Sequence, residues 1–150
     1  LARVGYVQWA PDMIWFDETT SYATPSYYVQ QMYAENMADE TLDLEGQEKE
    51  WAKQGIYITA SQYTEGVETG TIVLKAVNFN ASQKELGIVL PENAGKLAEI
   101  SETVLTGEKP EAYNSIEEPE CIKPRYRTCK LEQKLILEPY SFHIFRIKFI

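Results

Sequence analysis

Cysteine and histidine are scarce in this sequence, which has two cysteines and one histidine among its 150 residues. Two cysteines cannot form a disulfide framework, although a single bond between Cys121 and Cys129 stays open for an exported protein. The same scarcity makes a zinc site of the usual ligands hard to assemble, so we predict no metal site and no cofactor. His143 stands among apolar neighbours, and we expect it to lie in the core rather than bind a ligand.

Basic residues are also in the minority. The chain has 14 Lys and Arg against 23 Asp and Glu, which leaves a net charge of −9. This balance argues against nucleic acid or an anionic membrane as a partner, because phosphate binding needs clustered cations. No apolar run approaches the roughly 20 residues of a membrane helix. The first residues lack a signal-peptide pattern and an initiator methionine, so we expect further chain upstream.

Motifs for nucleophilic catalysis are missing, since there is no Gly-x-Ser-x-Gly elbow and one histidine cannot serve several triads. Carboxylates are abundant, but nothing local marks the facing pair that glycoside hydrolysis needs. Glu117 and Glu118 are adjacent and would point in opposite directions on an extended backbone. The basic residues at 123–127 are expected to form a solvated loop or an interdomain contact. We therefore predict no catalytic residue in this chain, and whether it acts as an enzyme stays uncertain.

The first 40 residues differ in pattern from the rest. Residues 13–16 form a short apolar run that predicts a strand or an extended buried segment. Thr24 and Pro25 are a suitable helix start, because Thr caps an exposed N–H and Pro fits the first helical position. The following apolar residues recur at helical spacing, and the helix is expected to end near residues 36–38. That apolar face consists of Tyr28, Val29, Met32 and Tyr33.

From residue 51 the apolar period changes to two, after an acidic stretch at 41–50 that we interpret as a loop or linker. Short strands are predicted where β-branched and apolar residues alternate between turn-forming residues. They cover residues 56–61, 71–78, 85–90, 98–105, 131–137 and 141–150, the second and third forming a hairpin. The fold class is therefore mainly β, a jelly-roll-like β-sandwich preceded by one α-helix. Trp15, Phe16, Tyr27 and Tyr28 are expected in the core, whereas Trp51 has no clear place.

Several segments resemble one family in the correct order along nearly the whole chain. Residues 9–17 (WAPDMIWFD) and 22–30 (YATPSYYVQ) are similar to the end of the catalytic barrel in family-51 α-L-arabinofuranosidases. The C-terminal sandwich of that family is resembled by three further segments, at 75–78, 114–124 and 137–142. Ile116 stands there in place of the usual aromatic residue.

The resemblance implies a (β/α)₈ barrel that carries an acid/base Glu and a nucleophile Glu, neither of which matches a position here. It divides the chain into residues 1–40, the last strand and helix of that barrel, and residues 41–150, the C-terminal β-sandwich domain. It also implies that Gln8, with Trp9 beside it, contacts the substrate, in the full-length enzyme only. The implied partners are the chain's own catalytic barrel, an arabinose-containing polysaccharide or oligosaccharide for the parent, and a homo-oligomer.

Three hypotheses follow. The first is a non-catalytic C-terminal domain that buttresses the barrel of an α-L-arabinofuranosidase acting on terminal α-L-arabinofuranosyl residues. The second is a carbohydrate-binding β-sandwich module, which would need two or three exposed coplanar aromatic rings. The third, a complete enzyme of another sandwich type, needs convergent carboxylates that the sequence does not signal. Export, periplasmic or extracellular, is slightly favoured over the cytoplasm, where many such enzymes act on imported oligosaccharides.

Overall fold

A six-stranded antiparallel sheet is the largest element of the computed structural model, which describes residues 2–5, 12–89, 95–129 and 134–150. Its strands are rich in β-branched and apolar residues, which favour the extended conformation and pack on the faces of a sheet. In order across the sheet, the strands are β4 (Glu40–Leu42), β5 (Ile56–Gln62), β6 (Ile72–Asn78), β11 (Ser141–Phe149), β8 (Leu97–Thr106) and β9 (Arg125–Cys129). The central strands β6 and β11 are buried on both faces.

A second layer covers one face of this sheet. It contains the antiparallel pair β7 (Lys84–Leu86) and β10 (Leu135–Leu137), whose inward leucines complete the main apolar core. The buried residues of that core are Ile56, Ile58, Ala60, Leu74, Ala76, Leu86, Ile100, Leu135, Leu137, Phe145 and Ile147. Two sheets packed over a shared apolar layer form a sandwich, so the predicted fold class is confirmed. Residues 131–133 of the strand predicted at 131–137 lie outside the described residues.

The predicted hairpin between 71–78 and 85–90 is wrong. Both edges of β6 are already paired, with β5 and β11, and β7 pairs with β10 in the other sheet. The chain leaves the large sheet at Asn78, which is fully buried. Its side-chain amide donates to the carbonyls of Ser82 at 2.9 Å, Leu137 at 3.3 Å and Glu138 at 2.9 Å. These bonds hold the corner through which the chain crosses from one layer to the other.

A helix, α1 (Pro25–Glu35), lies on the opposite face of the six-stranded sheet, and its predicted start is confirmed. The Thr24 hydroxyl accepts the Tyr27 N–H at 3.3 Å. Met32 is 1% exposed and joins a second apolar cluster with residues of the sheet. That cluster contains Met32, Val73, Leu105, Ile122, Phe142 and Ile144. Tyr28 and Val29 pack against it, whereas Tyr33 is 43% exposed with its ring stacked on Phe142.

A small sheet precedes this helix, with β1 (Ala2–Arg3) parallel to β2 (Ile14–Phe16) and β2 antiparallel to β3 (Ser21–Ala23). The strand predicted within residues 13–16 is therefore confirmed. Trp15, Phe16, Tyr27 and Tyr28 are half-buried rather than in the core as expected. Trp15 and Phe16 lie on a sheet of two- and three-residue strands, which is too narrow to enclose large side chains. Tyr27 and Tyr28 lie on α1, where Tyr28 packs at the border of an apolar cluster.

The interpretation of residues 41–50 as a loop is wrong in part. They contain the end of β4 and the start of a short helix, α2 (Gln47–Ala52). This helix has no buried residue and no apolar repeat, so its sequence carries little helical signal. Trp51 holds this helix in position, because its side chain packs against the main core. The sequence had not indicated a structural role for Trp51. Within the described ranges, no helix is long and apolar enough to cross a membrane.

Candidate functional site

The two residues expected to contact substrate, Gln8 and Trp9, lie outside the described residues. Their role therefore stays a prediction for the full-length enzyme. The described part of the chain shows no group of three or more His, Cys, Asp or Glu side chains that could hold a metal ion.

A buried polar cluster lies near the β9 edge of the large sheet, and we define it as Glu102, Arg127, Glu138, Ser141 and His143. Strand register places Glu102 opposite Arg127 on one side and opposite Phe145 on the other. Oε1 of Glu102 lies 2.5 Å from Nδ1 of His143 and 3.0 Å from Nη2 of Arg127. Nε of Arg127 also bonds to the second oxygen of Glu102. The cluster thus joins three strands and the turn before β11.

Three members of the cluster have the spacing of a Ser-His-Glu triad. The Ser141 hydroxyl lies 2.7 Å from Nε2 of His143, whose other nitrogen faces Glu102. All three side chains are buried, and the Ser141 hydroxyl also donates to the carbonyl of Glu138. Nε2 accepts the backbone N–H of Glu138 at 3.1 Å. A substrate cannot reach a hydroxyl enclosed in this way, so the arrangement is structural. The expectation that His143 lies in the core is confirmed.

Opposing effects act on the carboxyl group of Glu102. Desolvation by burial raises its pKa, whereas hydrogen bonds from His143 and Arg127 lower it and outweigh burial, giving a pKa of about 2. Hydrogen bonds and positive charge beside a carboxylate favour its ionised form. Glu102 is therefore an ionised group in the interior, and its charge is balanced by a cation that is itself half-exposed.

The basic residues 123–127 do not form the predicted solvated loop. Residues 125–127 lie in the edge strand β9, and Arg125 and Arg127 share Glu138, with N–O distances of 2.7 and 3.1 Å. The alternative of an interdomain contact stays a prediction. The alternation of Arg125, Tyr126 and Arg127 could have indicated a strand with its two arginines on one face. Their ionic partners were not predictable, because Glu102 and Glu138 come from distant parts of the sequence.

The two cysteines are free thiols in different environments, so the disulfide that the sequence left open is not formed. Cys121 is exposed, whereas Sγ of Cys129 lies 3.4 Å from Glu102. Burial, followed by the nearby charge of Glu102, raises the pKa of Cys129 to about 11.

At pH 8 a maleimide reagent should therefore modify Cys121 quickly and Cys129 very slowly, because the thiolate is the reactive form. Mass spectrometry of labelled peptides measures both rates in one sample, and labelling in denaturant should remove the difference. Equal rates in the folded protein would contradict the placement of Cys129 beside Glu102.

Two asparagines connect α1 and its neighbouring loop to the sandwich. Asn114, in one of the family-like segments, donates to the carbonyls of Ala23 and Ile122, both at 2.8 Å, and accepts the Ile122 N–H at 2.6 Å. Asn36 donates to the Met32 carbonyl at 2.9 Å and accepts from Arg146 on β11 at 3.0 Å. The end of α1 is thereby bonded to the central strand of the large sheet.

Tyr57 and Tyr126 lie too far apart to share the coplanar platform that the carbohydrate-binding hypothesis requires. Tyr57 and Tyr126 are 55% and 73% exposed and lie on strands β5 and β9. Four strand spacings separate these strands, which places them about 19 Å apart. Tyr113, 72% exposed, lies in the loop between β8 and β9 rather than on the sheet.

Together these features define a β-sandwich accessory domain, in which the buried polar groups bond to one another and a helix is fixed on one sheet. The sequence pattern described as the α-L-arabinofuranosidase C-terminal domain matches residues 4–141, and the chain belongs to that family. The resemblance identified from the sequence is therefore confirmed.

Individual relatives agree with this assignment. The chain is 30% identical over 146 residues to α-L-arabinofuranosidase 1 of Arabidopsis thaliana, covering 92% of this chain and 21% of that protein. It is 32% identical over 118 residues to a probable α-L-arabinofuranosidase A of Aspergillus terreus, covering 77% and 17%. An arabinose-bound family-51 α-L-arabinofuranosidase superposes with a TM-score of 0.69 at 20% identity, over 94% of this chain and 22% of that one. The chain thus spans about a fifth of the curated relatives it matches.

Proposed function

We propose that this domain supports the catalytic barrel of its own chain and takes no part in bond cleavage. The parent would hydrolyse terminal α-L-arabinofuranosyl residues of arabinose-containing polysaccharides, the activity that the names of its relatives indicate. Residues 1–40 would be the last strand and helix of the barrel and residues 41–150 the sandwich. Assembly of the parent into a homo-oligomer is part of the same proposal.

The observation that carries this proposal is the attachment of α1 at its start, middle and end. Asn114 of the sandwich donates to the carbonyl of Ala23, just before the start of α1, at 2.8 Å. Met32 is buried in the cluster with Phe142, and Asn36 bonds to Arg146. If α1 is the last helix of the barrel, the barrel cannot rotate against the sandwich without breaking these contacts. A rigid connection of this kind supports a buttressing role.

The 150-residue chain should show no turnover of an aryl α-L-arabinofuranoside above the uncatalysed rate. The physical reason is that hydrolysis needs two free carboxyl groups that face each other, whereas Glu102, which lines a groove with Glu35, is buried and bonded to His143 and Arg127. Release of the aryl alcohol, followed by absorbance, measures this, with the full-length protein as the positive control. Turnover by the chain that persists after repurification would refute the non-catalytic role, and an inactive full-length protein would refute the parent activity.

A further inference from the structure

A groove beside α1 has polar groups that the described residues leave unsatisfied. It lies on the α1 side of the large sheet, has a volume of about 330 Å³, and is bordered by α1, α2, β5 and β6. We call it the helix-flank groove and define it by Tyr33, Glu48, Tyr57 and Lys75. Tyr33 comes from α1, Glu48 from α2, and the other two from the adjacent strands β5 and β6.

Glu48 and Lys75 are the charged residues that define this groove. Oε2 of Glu48 is inaccessible to water and has no hydrogen-bond partner among the described residues. The ammonium of Lys75 lies 4.8 Å from the centre of the Tyr33 ring, and no ion pair or hydrogen bond to it is present in the described part of the chain. Burial lowers the pKa of Lys75. Buried polar atoms are normally paired, so the enclosed oxygen of Glu48 indicates a partner that supplies a donor, and the half-buried ammonium of Lys75 can bond to an acceptor on the same partner.

Apolar surface accompanies these polar groups. The Tyr57 ring is 55% exposed and the Tyr33 ring 43% exposed, and both belong to the groove. Aromatic residues with a few polar groups around them are typical of surfaces buried by another protein segment.

Several observations favour the catalytic domain of the same chain as the occupant. The chain accounts for about a fifth of its relatives, so most of the parent polypeptide is not part of the structure. The helix that borders the groove is also the element that the proposed function assigns to the barrel. Elements that neighbour α1 in the barrel would therefore lie next to α1 on this same face of the sheet.

We propose that the helix-flank groove is the contact surface for the upstream catalytic domain of the same chain, which supplies a hydrogen-bond donor to Glu48 and an acceptor to Lys75. This inference depends on the proposed function, because it names the face through which the sandwich supports the barrel. The relevant contact is therefore made within one polypeptide and does not depend on protein concentration.

The test is hydroxyl-radical footprinting of the full-length enzyme, which measures the oxidation rate of each side chain. Each rate is divided by the rate of the same residue in denaturant, and the ratio gives its protection. Tyr57 is the probe and Ile136 the control. Ile136 is 40% exposed and points away from the core on β10, in the opposite layer. From the exposure in the sandwich alone, Tyr57 should be the less protected of the two. If the catalytic domain covers the groove, Tyr57 should instead be protected several-fold more than Ile136, at every protein concentration.

A charge reversal provides a second measurement. Lys75→Glu in the full-length enzyme should separate the unfolding of the two domains into two calorimetric transitions, because it removes the cation of the groove and places a second carboxylate in the groove that Glu48 also lines. Lys134→Glu makes the same charge change at a residue whose side chain is 68% exposed, and it should leave a single transition. The footprint of the unmodified enzyme decides the question if Lys75→Glu does not fold.

The outcomes separate this inference from the proposed function. Reactive Tyr57 in an enzyme that unfolds in a single transition would overturn the groove contact and leave the supporting role intact. Reactive Tyr57 together with two independent transitions in the unmodified enzyme would overturn both. Protection of Tyr57 that disappears on dilution would show that a second copy occupies the groove, and this would also overturn the inference.

Discussion

Glu102→Ala is expected to reduce the free energy of unfolding by about 2–4 kcal/mol, because it leaves the buried imidazole of His143 unsatisfied and opens a cavity in the interior. The substitution leaves His143 without its acceptor and Arg127 without its main carboxylate. Urea denaturation followed by circular dichroism measures this loss.

Glu85→Ala is the matched control, because Glu85 pairs with Lys134 at 2.7 Å in an exposed salt bridge. Its removal should change the free energy of unfolding by about 1 kcal/mol or less. Equal losses for the two variants would contradict the structural importance of the buried cluster.

The same carboxylate should make stability depend on pH in acid. Its pKa in the folded protein is about 2, below the ordinary value of 4.5. Its stabilising effect is therefore complete above about pH 4.5 and is lost as the pH falls from there towards 2. Glu102→Gln cannot titrate, so its free energy of unfolding should fall less steeply over this range than that of the unmodified protein. Parallel curves for the two proteins would contradict the lowered pKa.

Met32→Ala should be the second large effect, with a loss of about 2–5 kcal/mol in the free energy of unfolding. The side chain is 1% exposed between α1 and the sheet, so its truncation removes apolar contacts and leaves a cavity. Thermal unfolding or urea denaturation measures the loss. In the full-length enzyme, the temperature at which activity is lost should fall with it.

Met37→Ala makes the same chemical change two residues beyond the end of α1, at a side chain that is 71% exposed. Its effect should stay within about 0.5 kcal/mol, as is usual for exposed sites. If Met32→Ala were as mild as this control, α1 would not be fixed to the sandwich, and the proposed buttressing role would lose its main support.

Local signals in the sequence were sufficient for several elements. Thr24 and Pro25 mark the start of α1, and alternating β-branched residues mark β5 and β6. Each of these signals acts through neighbours in the chain, such as a side chain that caps an N–H three residues later. The helix α2 was not predicted, because its stabilising contacts are not local. Trp51 packs against strands that are distant in the sequence.

The candidate site was less predictable. His143 was expected in the core, but its neighbour Glu102 is 41 residues away, and the partners of Arg127 lie on β8 and in the turn before β11. The asparagines at 78 and 114 were noticed only as parts of family-like segments. The structure shows that both are buried and that they bond to backbone carbonyls at two corners of the fold.

The sequence by itself determined that this chain is mainly β, has one amphipathic helix ahead of the sandwich strands, and belongs with the C-terminal part of arabinofuranosidases. These properties depend on local periodicity and on short motifs. Only the tertiary structure decided which strands pair, where the charge of Glu102 is balanced, and that α1 lies on the large sheet. Those outcomes depend on contacts between distant segments. Such contacts form only where the packing of apolar side chains and the pairing of buried polar groups can be satisfied together.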